Sequence, residues 1–101
     1  MSDREGWFRT MLVRSTELFA HFRNQRIHAE YLRARYDPYG TRIHDLIVHN
    51  LRMASNVEEH LITIRGWYEQ VDTYDEITFT QMVRMGNERF NTFSRLATHN
   101  P

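Results

Sequence analysis

The stretch from Ile43 to Val71 repeats apolar side chains every seven positions and contains no proline. Residues seven apart lie almost above one another on an α-helix, so this spacing predicts a helix with one broad apolar face. At 1.5 Å per residue, the helix would be about 45 Å long. Three columns build the face: Ile47, Ala54, Leu61 and Tyr68; Ile43, Asn50, Val57, Ile64 and Val71; and Leu46, Met53, His60 and Trp67. A helix this long needs partners along its whole face.

The residues before this stretch also follow helical spacing, with one interruption. Intervals of one, three and four separate Trp7, Phe8, Met11, Leu12, Ser15, Leu18, Phe19 and Phe22. The spacing pauses at residues 23–25 and resumes through Ile27, Tyr31 and Ala34. Either one bent helix or two helices with a short turn would fit. We predict a break near Asn24, with helices at about residues 4–22 and 25–36.

Turn and capping residues set the remaining boundaries. Asp37-Pro38-Tyr39-Gly40 predicts a tight turn, because proline disfavours helix in the preceding residue and glycine accepts a positive φ. The central helix would then cover about residues 41–71. Thr73 and Glu76 match a capping box that opens a last helix at about residues 75–96. We expect the last helix to fray into an irregular tail at Thr98 to Pro101.

These elements predict an all-α fold in one domain, residues 1–101. Short turns favour antiparallel neighbours, hence an antiparallel bundle of three to four helices around one long central helix. A core of this size should not need both tryptophans, so we expect Trp7, Trp67 or both at an interface. We also expect the flanking helices to leave part of the central face uncovered. That part, around Met53, His60 and Trp67, would contact another molecule or admit an apolar chain.

Two glycines interrupt predicted helices. Gly66 in the central helix either allows close approach of another group or is a tolerated defect costing about 1 kcal/mol. We favour close approach, and the same reasoning applies to Gly86 in the last helix.

The charges narrow the class of partner. Thirteen arginines balance 13 acidic residues, and the chain has no lysine or cysteine. The zero net charge is not that of a general nucleic-acid binder, so we expect no nucleic-acid partner. The missing lysine excludes Schiff-base chemistry, and the missing cysteine excludes disulfides and thiolate zinc sites. The use of arginine at every basic position reflects either the base composition of the genome or a preference for bidentate pairing at a protein interface.

No apolar run in the sequence is long enough to cross a bilayer, and residues 1–10 lack a signal-peptide core. Asp3 and Glu5 are unlike a cleavable organelle presequence. If the protein enters an organelle, we expect an internal or already removed signal.

Catalytic and metal motifs are absent. The chain has six histidines, yet neither Glu-x-x-His nor His-Glu-x-x-His occurs. The serines lie in no nucleophile-elbow motif, and the glycines form no phosphate-binding loop. We interpret Glu58 and Glu59 as solvent-exposed residues on the side of the helix and not as a catalytic carboxylate pair. We predict no catalytic residues, no metal ligands and no cofactor.

The first half of the chain resembles the LYR-motif proteins, small mitochondrial helical proteins named for a Leu-Tyr-Arg tripeptide. Trp7-Phe8-Arg9 stands at the tripeptide and keeps only its arginine. Arg26-Ile27-x-x-Glu30-Tyr31 resembles the family's Arg-Ile-x-x-Glu-Phe segment, and Asp37-Pro38 resembles its Asp-Pro turn, although it arrives early. The resemblance covers about residues 7–50.

The resemblance implies a three-helix scaffold that binds mitochondrial acyl carrier protein and joins respiratory, iron–sulfur or ribosome assembly. Arginines would contact the acidic carrier. The candidates, which match the family's motif positions or lie near them in sequence, are Arg9, Arg26, Arg33 and Arg35. The carrier's acyl arm would enter between the helices.

We therefore predict a non-catalytic accessory or adaptor subunit of a mitochondrial complex of the respiratory-chain type. It would lie in the matrix or peripheral to the inner membrane, and otherwise in the cytoplasm. The predicted partner-binding residues are Trp7, Phe8, Arg9, Arg26, Tyr31, Arg33, Arg35, Met53, His60 and Trp67. The alternatives are a small His-bearing metal- or ligand-binding bundle and a self-associating helical module.

Overall fold

The computed structural model describes residues 3–36 and 41–98, which form three α-helices. Helix α1 spans Asp3–Tyr36, α2 spans Thr41–Glu69 and α3 spans Glu76–Thr98, with a 3₁₀ turn at Val71–Thr73 between the last two. The all-α prediction is confirmed. The predicted turn at residues 37–40 and the tail at 99–101 lie outside the described residues.

Helix α1 is continuous, so the predicted break near Asn24 is wrong. The pause in apolar spacing reflects exposure: Arg23, Asn24 and Gln25 all face solvent. No proline or glycine interrupts these residues, and an Arg26–Glu30 ion pair at 3.4 Å bridges the following turn. Acidic residues in the first turn and arginines in the last complement the helix dipole.

The connection from α2 to α3 is capped differently from the prediction. The amide of Thr78 donates to Asp75 Oδ1 at 2.7 Å, so Asp75 is the N-cap of α3. The hydroxyl of Thr73 instead donates to the carbonyl oxygen of Gln70 at 2.7 Å. The predicted capping box from Thr73 to Glu76 is therefore wrong, because Thr73 belongs to the 3₁₀ turn before the helix.

Ring contacts fix the directions of the helices. Phe8 stacks on Tyr68 at 5.2 Å, and Phe22 meets His49 edge-on at 6.5 Å, so α1 and α2 run antiparallel. Helix α3 begins beside the start of α1, where the Phe79 ring lies 6.0 Å from Phe8. Further along, its Phe93 contacts His60 of α2 at 5.8 Å. Helices α2 and α3 are therefore also antiparallel.

All three helices contribute to one core. Its fully or nearly fully buried members are Phe8, Met11, Leu18, Phe22, Met53, Val57, Leu61, Ile64, Val71 and Phe90. Arg4 ties the start of α1 to the α2–α3 connection by donating to the carbonyl oxygens of Val71 at 3.2 Å and Tyr74 at 2.6 Å. Its guanidinium also lies 4.8 Å from the centre of the Phe79 ring.

The helices differ in length, which leaves one end of the molecule two helices thick. At 1.5 Å per residue, the 34 residues of α1 extend about 51 Å and the 23 residues of α3 about 35 Å. The longest dimension is 54 Å. Because α3 starts level with the start of α1, the far end of the α1–α2 pair extends beyond it. We call this end the projecting hairpin, residues 23–36 of α1 and 41–52 of α2.

Candidate functional site

Three of the predicted partner-binding residues are buried in the core. Phe8 is 0% exposed, Met53 6% and His60 3%. Because they are buried, these three side chains offer no surface to a protein docked on the outside of the chain, whereas the predicted entry of an apolar chain stays a prediction. The flanking helices cover the central face better than expected, since α1 is one long helix and α3 packs directly on His60 through Phe93.

A second group lies near the start of α1, and its side chains are engaged within the chain. The indole Nε1 of Trp7 donates to Asn87 Oδ1 at 3.2 Å. Arg9 Nε donates to Tyr68 Oη at 3.2 Å, and this hydrogen bond, with the nearby Glu5 carboxylate, raises the pKa of the Arg9 guanidinium. Trp67 is half-buried against the core. Both tryptophans thus serve intramolecular packing while keeping a partly exposed edge.

The two helical glycines have opposite surroundings. A Cβ added at Gly86 would lie 2.8 Å from Trp7 Cη2 and 3.5 Å from Ile64 Cδ1. A Cβ added at Gly66 would meet nothing within 4 Å. The close-approach interpretation therefore fails for Gly66 and is confirmed for Gly86, which makes room for the Trp7 ring between α1 and α3.

The third group, Arg26, Tyr31, Arg33 and Arg35, lies on the projecting hairpin. Arg26 is paired with Glu30, and Arg33 Nη1 donates to His44 Nδ1 at 3.3 Å across the two helices. The Arg35 guanidinium lies 5.7 Å from the centre of the Tyr36 ring. About 17 residues, or roughly 25 Å of helix, separate Arg9 from Arg26. The predicted arginines therefore occupy two separate surfaces.

Large apolar side chains lie exposed among these arginines. Tyr31 is 55% exposed and Leu51 50%, and the others on the projecting hairpin are Ile27, Tyr36 and Val48. Ile27 and Tyr31 are one turn apart on α1, while Val48 and Leu51 are one turn apart on α2, so each pair shares a face. A shallow open depression of about 370 Å³ adjoins the second pair and is lined by Val48, Leu51, Arg52, Ser55 and Asn56.

Sequence reasoning missed Val48 and Leu51 as site residues. Both lie outside the three apolar columns of the central helix. Their position outside the apolar face of the central helix could have identified them, because an apolar residue there is not needed for the core and is a candidate for a contact with a partner.

The hairpin carries more positive than negative charge. Its arginines are Arg23, Arg26, Arg33, Arg35, Arg42 and Arg52. Glu30 and Asp45 are the acidic residues in the described part of the same segment. A zero net charge for the whole chain therefore conceals a local basic surplus.

His60 differs from the other buried polar side chains. Ser15 donates to Met11 Sδ at 3.4 Å, and Asn50 donates to the carbonyl oxygen of Leu46 at 2.9 Å. Neither ring nitrogen of His60 has a hydrogen-bond partner among the described residues. Burial lowers the pKa of His60, and the positive charge of Arg89 lowers it further.

Within residues 3–36 and 41–98, no three His, Cys, Asp or Glu side chains come together in a way that could hold a metal ion. The alternative of a small His-bearing metal- or ligand-binding bundle stays a prediction. Among the same residues, no helix is long and apolar enough to span a membrane.

Comparison with known proteins adds no relative: no family model, no curated protein and no solved structure matches the chain. The resemblance to the LYR-motif family stays a prediction.

Proposed function

We propose that the chain is a non-catalytic adaptor that binds a partner protein through its projecting hairpin. One observation carries this proposal: the hairpin extends past the end of α3 and exposes large apolar side chains among arginines. Interfaces are enriched in aromatic residues and arginine, and such residues supply much of their binding energy.

The partner that fits this surface is an acidic protein with an apolar contact patch. Arginines around Tyr31 and Leu51 would steer an acidic partner and fix its register, while the apolar side chains would lose their contact with water. Following the family resemblance, we propose acyl carrier protein as this partner. We further propose a mitochondrial complex of the respiratory-chain type as the setting.

The family resemblance and the exposed apolar side chains suggest two different docking surfaces for this proposal. The resemblance assigns the family's motif arginine to Arg9, at the three-helix end, whereas the exposed apolar side chains accompany Arg33 and Arg35. We place the docking surface on the hairpin, because exposed apolar side chains, including Tyr31 and Leu51, lie on it together with its arginines.

Binding of purified acyl carrier protein, with and without its acyl chain, tests the proposal by titration calorimetry. Replacing Leu51→Ser on the hairpin should weaken binding by about 5- to 30-fold, which corresponds to a cost of about 1–2 kcal/mol for truncating a contributing interface residue. Ile77→Ser on α3 is the matched control, since Ile77 is 73% exposed outside the hairpin, and it should bind like the unchanged chain.

A charge pair of variants locates the surface. Arg33→Gln should weaken binding more at low salt than at high salt, because screening already reduces the attraction at high salt. Arg84→Gln, on the exposed side of α3, should have little effect. Loss of binding on Arg9→Gln with no loss on Arg33→Gln would move the site to the other end of the molecule. Binding of no carrier protein in either state would reject this partner.

Self-association remains the competing function. Light scattering of the purified chain, measured with and without the carrier, gives the oligomeric state in the same series. A stable dimer that Leu51→Ser converts to a monomer would favour self-association through the hairpin.

A further inference from the structure

Among the residues that the structure describes, His60 is the one buried polar side chain without a hydrogen bond, and it lies between α2 and α3. Its ring meets the edge of Phe93 at 5.8 Å and an interplanar angle of 70°. A buried polar group that lacks a partner costs stability, and a buried charge without one costs more. The packing around His60 therefore favours the neutral imidazole over the imidazolium.

The charged groups around His60 do not compensate a proton on its ring. From α3, Arg89 contributes a like charge. From α1, the Arg14 guanidinium reaches the same part of α3 and lies 4.4 Å from the centre of the Phe90 ring. On α2 itself, Glu59 is adjacent in sequence but exposed, and neighbouring helical positions point about 100° apart.

Helix α3 is held to the other two helices at separate points along its length. Phe79 contacts Trp7 and Phe8 near its start, and Gly86 receives the Trp7 ring at its middle. The half beyond Gly86 packs through Phe90 and Phe93, and Phe93 lies directly on His60. The contact with His60 is thus one of those by which this half packs on α2.

We propose that His60 is a proton-controlled latch, and that protonation of its imidazole releases the C-terminal half of α3, residues 86–98, from α2. Release places the imidazolium in water and removes the Phe93 ring from the core. It also uncovers apolar side chains of α2 around His60, including Val57 and Ile64, which are fully buried in the closed form. This inference does not depend on the proposed partner.

The direction of the pH effect follows from linkage. The closed form lowers the pKa of His60, whereas the open form restores the ordinary value of 6.5. The open form therefore binds more protons, so the closed form is favoured fully above about pH 6.5. Its advantage falls as the pH drops below that value toward the lower pKa of the closed form, and it stays low at more acidic pH.

Hydrogen exchange of the full chain, read by NMR between pH 7.5 and pH 5.0, tests the latch. After correction for intrinsic exchange, protection of amides in residues 86–98 should fall by up to about tenfold per pH unit below about pH 6.5. Amides of α1 and of the rest of α2 should keep their protection. A uniform loss over all three helices would overturn the local latch, as would constant protection of α3.

Three variants assign the effect to His60. His60→Leu should abolish the pH dependence in residues 86–98, because the side chain no longer titrates. His28→Gln removes an exposed imidazole and should leave the dependence intact. Arg89→Gln, on an exposed position, should leave the onset near pH 6.5 but make the total loss of protection smaller, because removing the like charge raises the pKa of His60 in the closed form toward its open-form value. Identical profiles for Arg89→Gln and the unchanged chain would contradict the proposal even if His60→Leu did not fold.

Discussion

A missing side chain at Gly86 decides how closely α3 approaches α1. The Trp7 ring occupies the space that a Cβ would need, and it is held there by its hydrogen bond to Asn87 and by edge contacts with Phe8 and Phe79. A ring fixed on several sides cannot move away without loss elsewhere. Like Gly86, Gly66 has a negative φ, because no described glycine has a positive φ. Unlike Gly86, it has open space where a Cβ would lie.

We predict opposite effects for alanine at these two positions. Gly66→Ala should stabilise the fold by about 0.5–1 kcal/mol, because alanine favours helix and meets no obstacle. Gly86→Ala gains the same propensity, but overpacking costs about 1–3 kcal/mol, so it should lower stability by about 1 kcal/mol. Urea unfolding of both variants measures the difference. Stabilisation by Gly86→Ala would show that the Trp7 ring moves freely.

The sequence could not tell these glycines apart. Both lie within long helical patterns, and the distinction depends on Trp7, far away in the chain. A contact between helices is decided by three-dimensional register, which residue spacing along one helix does not contain. The burial of His60 was likewise not predictable from its column, because Trp67 in that same column is only half-buried.

At the level of the elements, the helices themselves follow directly from the sequence. Heptad spacing placed α2 within two residues of its observed end, and the last helix, predicted at about residues 75–96, spans Glu76–Thr98. The error in α1 arose because a break was inferred from missing apolar residues. Polar side chains at residues 23–25 are compatible with a helix when they face solvent, so an actual stop signal is required to end it.

The start of α3 gives a second test. Asp75 accepts a hydrogen bond from the Thr78 amide, and this bond lowers the pKa of the Asp75 carboxyl below its ordinary value of 3.8. Asp75→Ala should lower the Tm, because the first turn of α3 loses its cap. Thr73→Ala is the control, and its smaller effect would distinguish a single Asp cap from a capping box that starts at Thr73.

The pH dependence of the same cap has a definite sign. Because the folded-state pKa of Asp75 is lowered, its contribution is present above about pH 3.8 and is lost as the pH falls through the folded-state value. The Tm difference between Asp75→Ala and the unchanged chain should therefore shrink in strong acid. A difference that stays constant down to pH 2 would show that the cap does not act through the ionised carboxylate.

At the level of the whole molecule, unequal helix lengths produce an elongated shape. The radius of gyration is 16.7 Å and the dimensions are 54 × 18 × 16 Å. A compact domain of about 100 residues would have a radius of gyration of about 13 Å. Small-angle X-ray scattering of the monomer should therefore give a value well above that of a compact domain. A value near 13 Å would show that the hairpin does not project.

The candidate site was predictable only in part. Arg26, Tyr31, Arg33 and Arg35 were selected from the sequence and lie on one end of the molecule, whereas Phe8, Met53 and His60 lie inside it. Whether an apolar residue is buried depends on how far the covering helix extends. How much of α2 is covered depends on the length and the position of α3. Neither of these can be predicted from the apolar spacing of α2 alone.

The tie between Arg4 and the α2–α3 connection has a consequence for the order in which the protein folds. Arg4 meets Val71 and Tyr74 across sequence separations of 67 and 70 residues, whereas Phe22 and His49 are much closer along the chain. Contacts with short separations form sooner, because less chain entropy is lost in closing them. The α1–α2 pair should therefore close from the Phe22–His49 contact toward the Phe8–Tyr68 contact. During synthesis, Trp7 and Phe8 are made well before Phe79 of α3, which contacts both of them. Until α3 is made, these aromatic side chains lack that contact, and a chaperone would be expected to bind them.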